Sequence, residues 1–304
     1  MKTIFSLCLL AFLLLFTSRI IAQERADSLI IIETKDGNEY LGTIQMQDSS
    51  QLVLLTANIG TIQIQRNDIK RIRPAGFGQM KDGKYWYENP HPTRYFYGPN
   101  GYGLRKGEGY YQNVWVLLNQ VSYGFTNNFS LGAGIVPLFL FGEGNQTPFL
   151  INGQFSLPLR PEKMNLSVGG FYFNSIGGDP YYDDDFGDGV GILYGGVTLG
   201  SRDNNIHFLL GYGYDGYGFA DAPLVSVSGT IRVSRRTYLM TENYFFDAGN
   251  KLSGWFSFGG RYAARRLAID YGLMFPTDFD NSYLVAIPWL GIASPFGRAK
   301  GRSK

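Results

Sequence analysis

Phe149-Leu150-Ile151-Asn152-Gly153-Gln154-Phe155-Ser156-Leu157 is the stretch on which the fold turns. Phe149, Ile151, Phe155 and Leu157 recur at alternate positions, with Leu150, Asn152, Gln154 and Ser156 between them. That period of two belongs to a β-strand with one apolar and one largely polar face. Residues 267–275 repeat it, with Leu267, Ile269, Tyr271, Leu273 and Phe275 set against Ala268, Asp270, Gly272 and Met274. Strands of a soluble sandwich alternate too, but they are usually shorter and carry charge on the outer face. A length of about 9–11 residues is what a tilted strand needs to cross a bilayer.

Working outward, segments of this kind fill 113–296. They are expected at 113–125, 129–141, 149–159, 166–176, 190–200, 206–214, 224–233, 237–246, 254–262, 267–275 and 283–296, with a short one at 94–97. Short turns at 126–128, 160–165, 201–205, 234–236 and 263–266 alternate with longer loops at 98–112, 142–147, 177–189, 215–222, 247–253 and 276–282. Short turns at one end and long loops at the other are the asymmetry of an outer-membrane barrel. The sequence therefore predicts an all-β protein, a transmembrane antiparallel up-and-down β-barrel of about twelve strands. Ten or fourteen strands stay open, because strand limits shift by a few residues.

Composition agrees. Glycine, at 40 of 304 residues, and aromatics, at 16%, are abundant, while charged residues make up only 17%, below the roughly 25% usual in soluble domains. Residues 1–22 carry Lys2, an apolar run from Ile4 to Phe16 and a small residue, Ala22. They read as a secretory signal peptide, because the run is shorter than the roughly 20 residues of a membrane helix. Cys8 lies inside that leader, and without 1–22 the chain has 25 basic and 25 acidic residues. That balance argues against nucleic acid as a partner. No cofactor is expected.

Residues 23–73 form a separate small periplasmic β-domain of five short strands, joined by turns at Asp36-Gly37, Asp48-Ser49-Ser50 and Asn58-Ile59-Gly60. Asp36-Gly37, Tyr40-Leu41-Gly42, Asp48 and the apolar run 52–55 resemble the Sm-like pattern of SH3-like barrels. Sm proteins bind RNA, but this segment has no basic cluster beyond Lys70-Arg71-Arg73, so it is read instead as a packing or docking module, a site for a periplasmic protein partner. Residues 74–92, rich in proline and glycine and carrying Tyr85-Trp86-Tyr87, read as a linker. The barrel follows over 93–296, and 297–304 is a basic periplasmic tail. A second resemblance rests on Asn89-Pro90, Thr93-Arg94-Tyr95-Phe96, Leu104, Lys106-Gly107-Glu108-Gly109-Tyr110-Tyr111-Gln112-Asn113 and Gly124-Phe125-Thr126-Asn127-Asn128-Phe129-Ser130-Leu131-Gly132. These are similar to an uncharacterised family of outer-membrane barrel proteins of Bacteroidetes. The resemblance implies the outer membrane of a Gram-negative bacterium and the barrel fold, and carries no activity.

Few residues offer chemistry. Arg232, Arg261 and Asp270 share parity with small or polar neighbours and so face the lumen. Glu242 is placed there by its charge, because charge facing lipid at mid-membrane costs roughly 2–4 kcal/mol for a basic residue. The four fall on consecutive strands in alternating sign, as expected of a luminal charge network; the alternative is a charged constriction selecting solutes. The loop with Asp179, Asp183, Asp184, Asp185 and Asp188 lacks the spacing of an EF-hand, so Asp183, Asp185 and Asp188 are a weak calcium candidate beside a solvated surface loop. His91 and His207 are the two histidines, and neither has a nucleophile beside it in sequence, so no enzyme is expected. Glycine pairs at 169–170, 195–196 and 259–260 leave bare backbone for neighbouring aromatics. Tyr123, Phe125 and Phe129 at one end, and Tyr172, Tyr212, Tyr214, Tyr244 and Phe246 at the other, are expected to form two aromatic girdles in contact with membrane lipid. The sequence thus points to a narrow or plugged pore for small solutes. A structural or docking membrane protein is the alternative, and a lipid-modifying barrel enzyme comes third. Insertion of residues 98–112 into the lumen decides between the first two.

Overall fold

The structure, a computed structural model, describes residues 29–56, 59–75, 78–81, 83–87, 89–141, 147–176, 189–247, 252–264, 267–278 and 285–297. The expected leader at 1–22, the tail beyond Gly297 and the aspartates at 179–188 lie outside them. Five strands form an antiparallel sheet: β1 (Ile30–Thr34), β2 (Glu39–Gln47), β3 (Gln51–Thr56), β4 (Gly60–Gln65) and β5 (Ile69–Pro74), in the order β4-β3-β2-β1-β5. Alternating apolar positions send Ile32, Leu52, Leu54 and Ile64 into one core, flanked by Tyr40 and Ile62. Full burial of each such aliphatic stabilises by about 1.5–3 kcal/mol. Gly37, at φ 88°, makes the first turn, and the Asp48 carboxylate accepts from Ser50 N (2.7 Å) and Gln51 N (2.8 Å) at the second. A hairpin, β6 (Gly78–Lys81) and β7 (Lys84–Tyr87), follows.

Twelve strands then close a barrel. They are β8 (Glu108–Val114), β9 (Leu118–Gly124), β10 (Phe129–Ile135), β11 (Thr147–Arg160), β12 (Met164–Ile176), β13 (Val190–Gly200), β14 (Asn205–Tyr214), β15 (Leu224–Arg232), β16 (Thr237–Asp247), β17 (Leu252–Ala263), β18 (Ala268–Asp278) and β19 (Ile287–Gly297). Each pairs antiparallel with the next, and β19 returns to β8 with Ala293 opposite Gln112, so no edge is left open. One side of the pleat carries exposed apolar side chains such as Phe155, Val168, Leu193 and Phe258, and the other turns Gln154, Ser167, Ser228 and Asp270 into a buried lumen. This is the outer-membrane type of barrel, apolar outside and polar inside. The connections after β9, β11, β13, β15 and β17 are short and share the turn end; the opposite one is the loop end.

Three expectations for the wall are corrected. Residues 94–97 are not a wall strand; 113–125 is not one strand but a hairpin made of the end of β8, a turn and β9; and the strand expected over 129–141 ends at Ile135, where Pro137 starts a 3-10 helix over Pro137–Phe141. The gain offsets the loss, so the count stays at twelve. The hairpin turns at Trp115 (φ 52°) and Val116 (φ 65°), a left-handed pair usually taken by asparagine and glycine. The neighbouring strand holds it there. Trp115 N donates to Leu290 O (3.0 Å), Trp115 Nε1 donates to Pro288 O (2.8 Å), and the Trp115 ring meets Trp289 at 4.9 Å. Without glycine or asparagine at that turn, the apolar pattern ran through it unbroken.

Candidate functional site: the occupied lumen

Residues 89–105 run inside the barrel, so the loop expected at 98–112 is instead divided: 98–105 is luminal and 108–112 belongs to wall strand β8. The segment enters at the turn end, where Asn89 Nδ2 donates to Arg202 O (3.0 Å). It leaves at the same end, where Lys106 N donates to Asn127 Oδ1 (3.1 Å). Between these points it doubles back as a hairpin. Tyr95 N donates to Gly98 O (3.0 Å) and Asn100 N to Thr93 O (3.0 Å), and Arg94 pairs with Pro99, which puts Phe96 and Tyr97 at the apex with Gly98 beside them. Such a segment would leave its backbone groups unpaired in a dry lumen, so the wall must supply partners.

The first set of partners is ionic. Arg261 of β17 and Asp270 of β18 are cross-strand neighbours, joined by Arg261 Nε to Asp270 Oδ1 (2.5 Å) and Nη2 to Oδ2 (3.1 Å). Arg94 of the hairpin donates Nη1 to the same carboxylate (2.6 Å). Arg261 also donates to His91 O (2.7 Å) and Tyr95 O (2.6 Å), so one wall arginine holds both a carboxylate and the hairpin backbone. All three charged groups are buried. Burial makes a charge costly unless partners fill its hydrogen-bonding positions; carbonyls and the carboxylate do so for Arg261, whereas Arg94 bonds through Nη1 alone and its Nε and Nη2 are buried without a partner.

The second set surrounds Glu242 of β16. Its carboxylate accepts from Tyr97 N (2.9 Å), Gly98 N (2.9 Å) and Tyr244 OH (2.7 Å). Gly98 lies against the Tyr244 hydroxyl and Glu242, where a Cβ would collide with both. Further along, Gly101 N donates to Thr198 Oγ1 (2.7 Å) and Gln154 Nε2 to Asn100 O (2.7 Å). Phe96 packs its ring 5.8 Å from Trp289, and Tyr97 meets Phe171 at 6.1 Å.

The four charges expected in one row are thus divided. Arg261 and Asp270 meet directly, and Glu242 sits apart on the hairpin apex. Arg232 is at the turn end, with Nη1 on Asp203 Oδ2 (2.8 Å) and its guanidinium over Trp86 (4.9 Å) and Tyr238 (5.2 Å). Arg94, read from sequence as part of a wall strand, supplies the second positive charge deep in the lumen. The wall charges Arg261, Asp270 and Glu242 sum to minus one, and Arg94 of the hairpin balances them.

The expected girdles divide as well. Tyr123, Phe125, Phe129 and Phe155 make a continuous ring contact on the outer face near the turn end, with centroids 5.1, 6.3 and 4.6 Å apart. Near the loop end, Tyr172 packs on Phe149 at 6.3 Å, Tyr212 is exposed, and Tyr214 packs on Phe219 of its own loop. Tyr244 is corrected to the lumen, and Phe246 shares its parity. Phe245 and Phe256, 5.3 Å apart, lie on the other face of those strands. At the glycine pairs, a Cβ on Gly169 would meet the Tyr194 ring, one on Gly196 the His207 ring, and one on Gly260 the Tyr271 ring.

Both histidines are buried. His207 Nδ1 lies 2.8 Å from Thr198 Oγ1, but that hydroxyl already accepts from Gly101 N and is covered by the hairpin. Among the described residues no cluster of three or more His, Cys, Asp or Glu could hold a metal ion. The lumen is therefore built to bind a peptide segment of its own chain.

No protein-family model matches the sequence, and no curated protein does. Several solved outer-membrane proteins align over most of the chain at low identity. A loop-deletion form of OmpT from Vibrio cholerae is 15% identical, covering 88% of this chain and 96% of that one, with a TM-score of 0.36. The monoaromatic hydrocarbon channel CymD is 9% identical, covering 90% and 88%, at 0.38. OprD of Pseudomonas aeruginosa is 8% identical, covering 92% and 99%, at 0.34. None superimposes closely enough to transfer a residue's role, and the twelve-strand closure with its occupied lumen stands on the geometry of this chain.

Proposed function

We propose that this protein is a non-enzymatic outer-membrane conduit for small solutes, closed at rest by its own segment 89–105. The observation that carries the reading is how that segment is seated. Its apex rests on Glu242 through two backbone N–H groups, and its stem rests on Arg261 and Asp270. These are polar contacts, and water can replace them once the hairpin moves, whereas the hydrogen-bonded wall stays closed. The N-terminal sheet lies at the turn end and would face the periplasm. Glu39 of β2 receives Arg235 Nη2 there at 3.0 Å.

The test is conductance in planar bilayers. The natural protein should show little current, and Gly98→Val, which places a branched side chain against Tyr244 and Glu242, should conduct measurably more. Because the emptied wall carries one excess negative charge, the reversal potential in a salt gradient should favour cations, and Glu242→Gln in the Gly98→Val background should weaken that preference. Silence from both forms, with the barrel folded, would refute the pore. It would favour a docking role instead, for which Met46 on β2 and Leu55 on β3 offer exposed apolar side chains.

A further inference from the structure

The inward face changes along two of the wall strands. At the loop end the inward positions of β12 and β13 change to Phe171, Phe173, Val190 and Ile192. With Gly213 and Ala220 they line a cavity of about 590 Å³. That volume lies in the roughly 300–1,000 Å³ range of small-molecule pockets, which are mostly apolar with a few fixed polar groups. The carboxylate nearest to it is already committed: Asp215 Oδ1 accepts from Tyr217 N and Gly218 N, both at 3.0 Å. Asp221 supplies charge at the lining but no cation to pair with an acidic ligand. A luminal wall in water has no need of two phenylalanines and an isoleucine, because exposed apolar surface costs about 25 cal/mol per Å².

We infer that this vestibule is a binding site for an uncharged, apolar small molecule, of which a fused-ring aromatic is a suitable size. The cavity also reaches the hairpin. Phe171 lines it and packs on Tyr97 at 6.1 Å on one side and on Tyr194 at 5.9 Å on the other. A ligand on Phe171 is therefore one ring away from the apex held by Glu242. This link rests on the closed-conduit reading; binding itself does not.

Equilibrium dialysis of the full chain in lipid nanodiscs, with naphthalene as probe and empty nanodiscs as the partition control, reads binding directly. Saturable uptake approaching one naphthalene per chain is expected, with none for glucose. Ile192→Trp, which fills the cavity without changing its polarity, should weaken binding at least tenfold, and Phe173→Asp should do the same by changing polarity without filling it. Heat-shifted gel mobility of both variants checks that the barrel is folded. Uptake equal to empty nanodiscs, or equal in the natural protein and in folded Ile192→Trp, would overturn the site. Saturable uptake by a protein that is silent in the bilayer assay would keep the site and remove the conduit.

Discussion

Asp270 is the residue on which most of the lumen depends, because one carboxylate answers two buried guanidiniums. Asp270→Asn leaves Arg94 and Arg261 facing each other without a counter-charge. Breaking a buried pair from one side costs about 3–5 kcal/mol, so this variant should unfold at clearly lower urea, followed by the heat-shifted gel band. Arg94→Met should cost less, because Arg261 keeps both of its bonds to Asp270. Equal loss from the two changes would mean that Arg94 is as essential to the barrel as Asp270. From sequence, the inward direction of Arg261 and Asp270 was legible in their parity with Ser257, Gly259, Ala268 and Gly272. The partner Arg94 was not, since its neighbours look like any short strand. The signal was length: four residues between Thr93 and Gly98 cannot cross a membrane, and the Gly98-Pro99-Asn100-Gly101 composition that follows breaks any longer strand.

At the level of elements, periodicity located ten wall strands directly, because each carries long alternation bounded by turn residues. It failed where chemistry and geometry disagree, at the β8–β9 turn. Trp115 and Val116 occupy a backbone region that costs an L-residue roughly 1–2 kcal/mol, and contacts to β19 offset it for Trp115. Val116 is 79% exposed and has no such packing. Val116→Gly should therefore stabilise the barrel by about 1 kcal/mol, seen as a higher unfolding midpoint, while Trp115→Gly should lower it by removing the Trp289 and Pro288 contacts. A Val116→Gly variant no more stable than the natural protein would show that the turn relaxes outside the left-handed region. The luminal hairpin was illegible for another reason: the bonds that seat it reach residues far away in sequence, as in Gly98 with Glu242 and Arg94 with Asp270, and no local pattern encodes them.

For the whole molecule, the arginines gathered in the short turns acquire a purpose. Arg235, in the turn after β15, binds Glu39 of the N-terminal sheet, and Arg232, at the end of β15, lies over Trp86 of the β6–β7 hairpin, so the turn end of the barrel is the seat of that sheet and that hairpin. An ion pair of this kind contributes up to about 1 kcal/mol. Glu39→Lys, which sets like charges together, should speed proteolysis within residues 75–88 several-fold and leave the heat-shifted mobility of the barrel unchanged. Cleavage at the natural rate would show that the sheet is held by other contacts. The luminal hairpin has a further consequence, for the order of assembly. It precedes β8, the first strand of the wall, and both of its ends leave by one opening, while Asp270 comes from the penultimate strand. The guest is thus tethered to one lip of the β19–β8 seam, and its ionic partner Asp270 stands one strand behind the other lip. Closing the wall and completing the luminal ion pairs therefore draw on the same last strands, which act as a clasp.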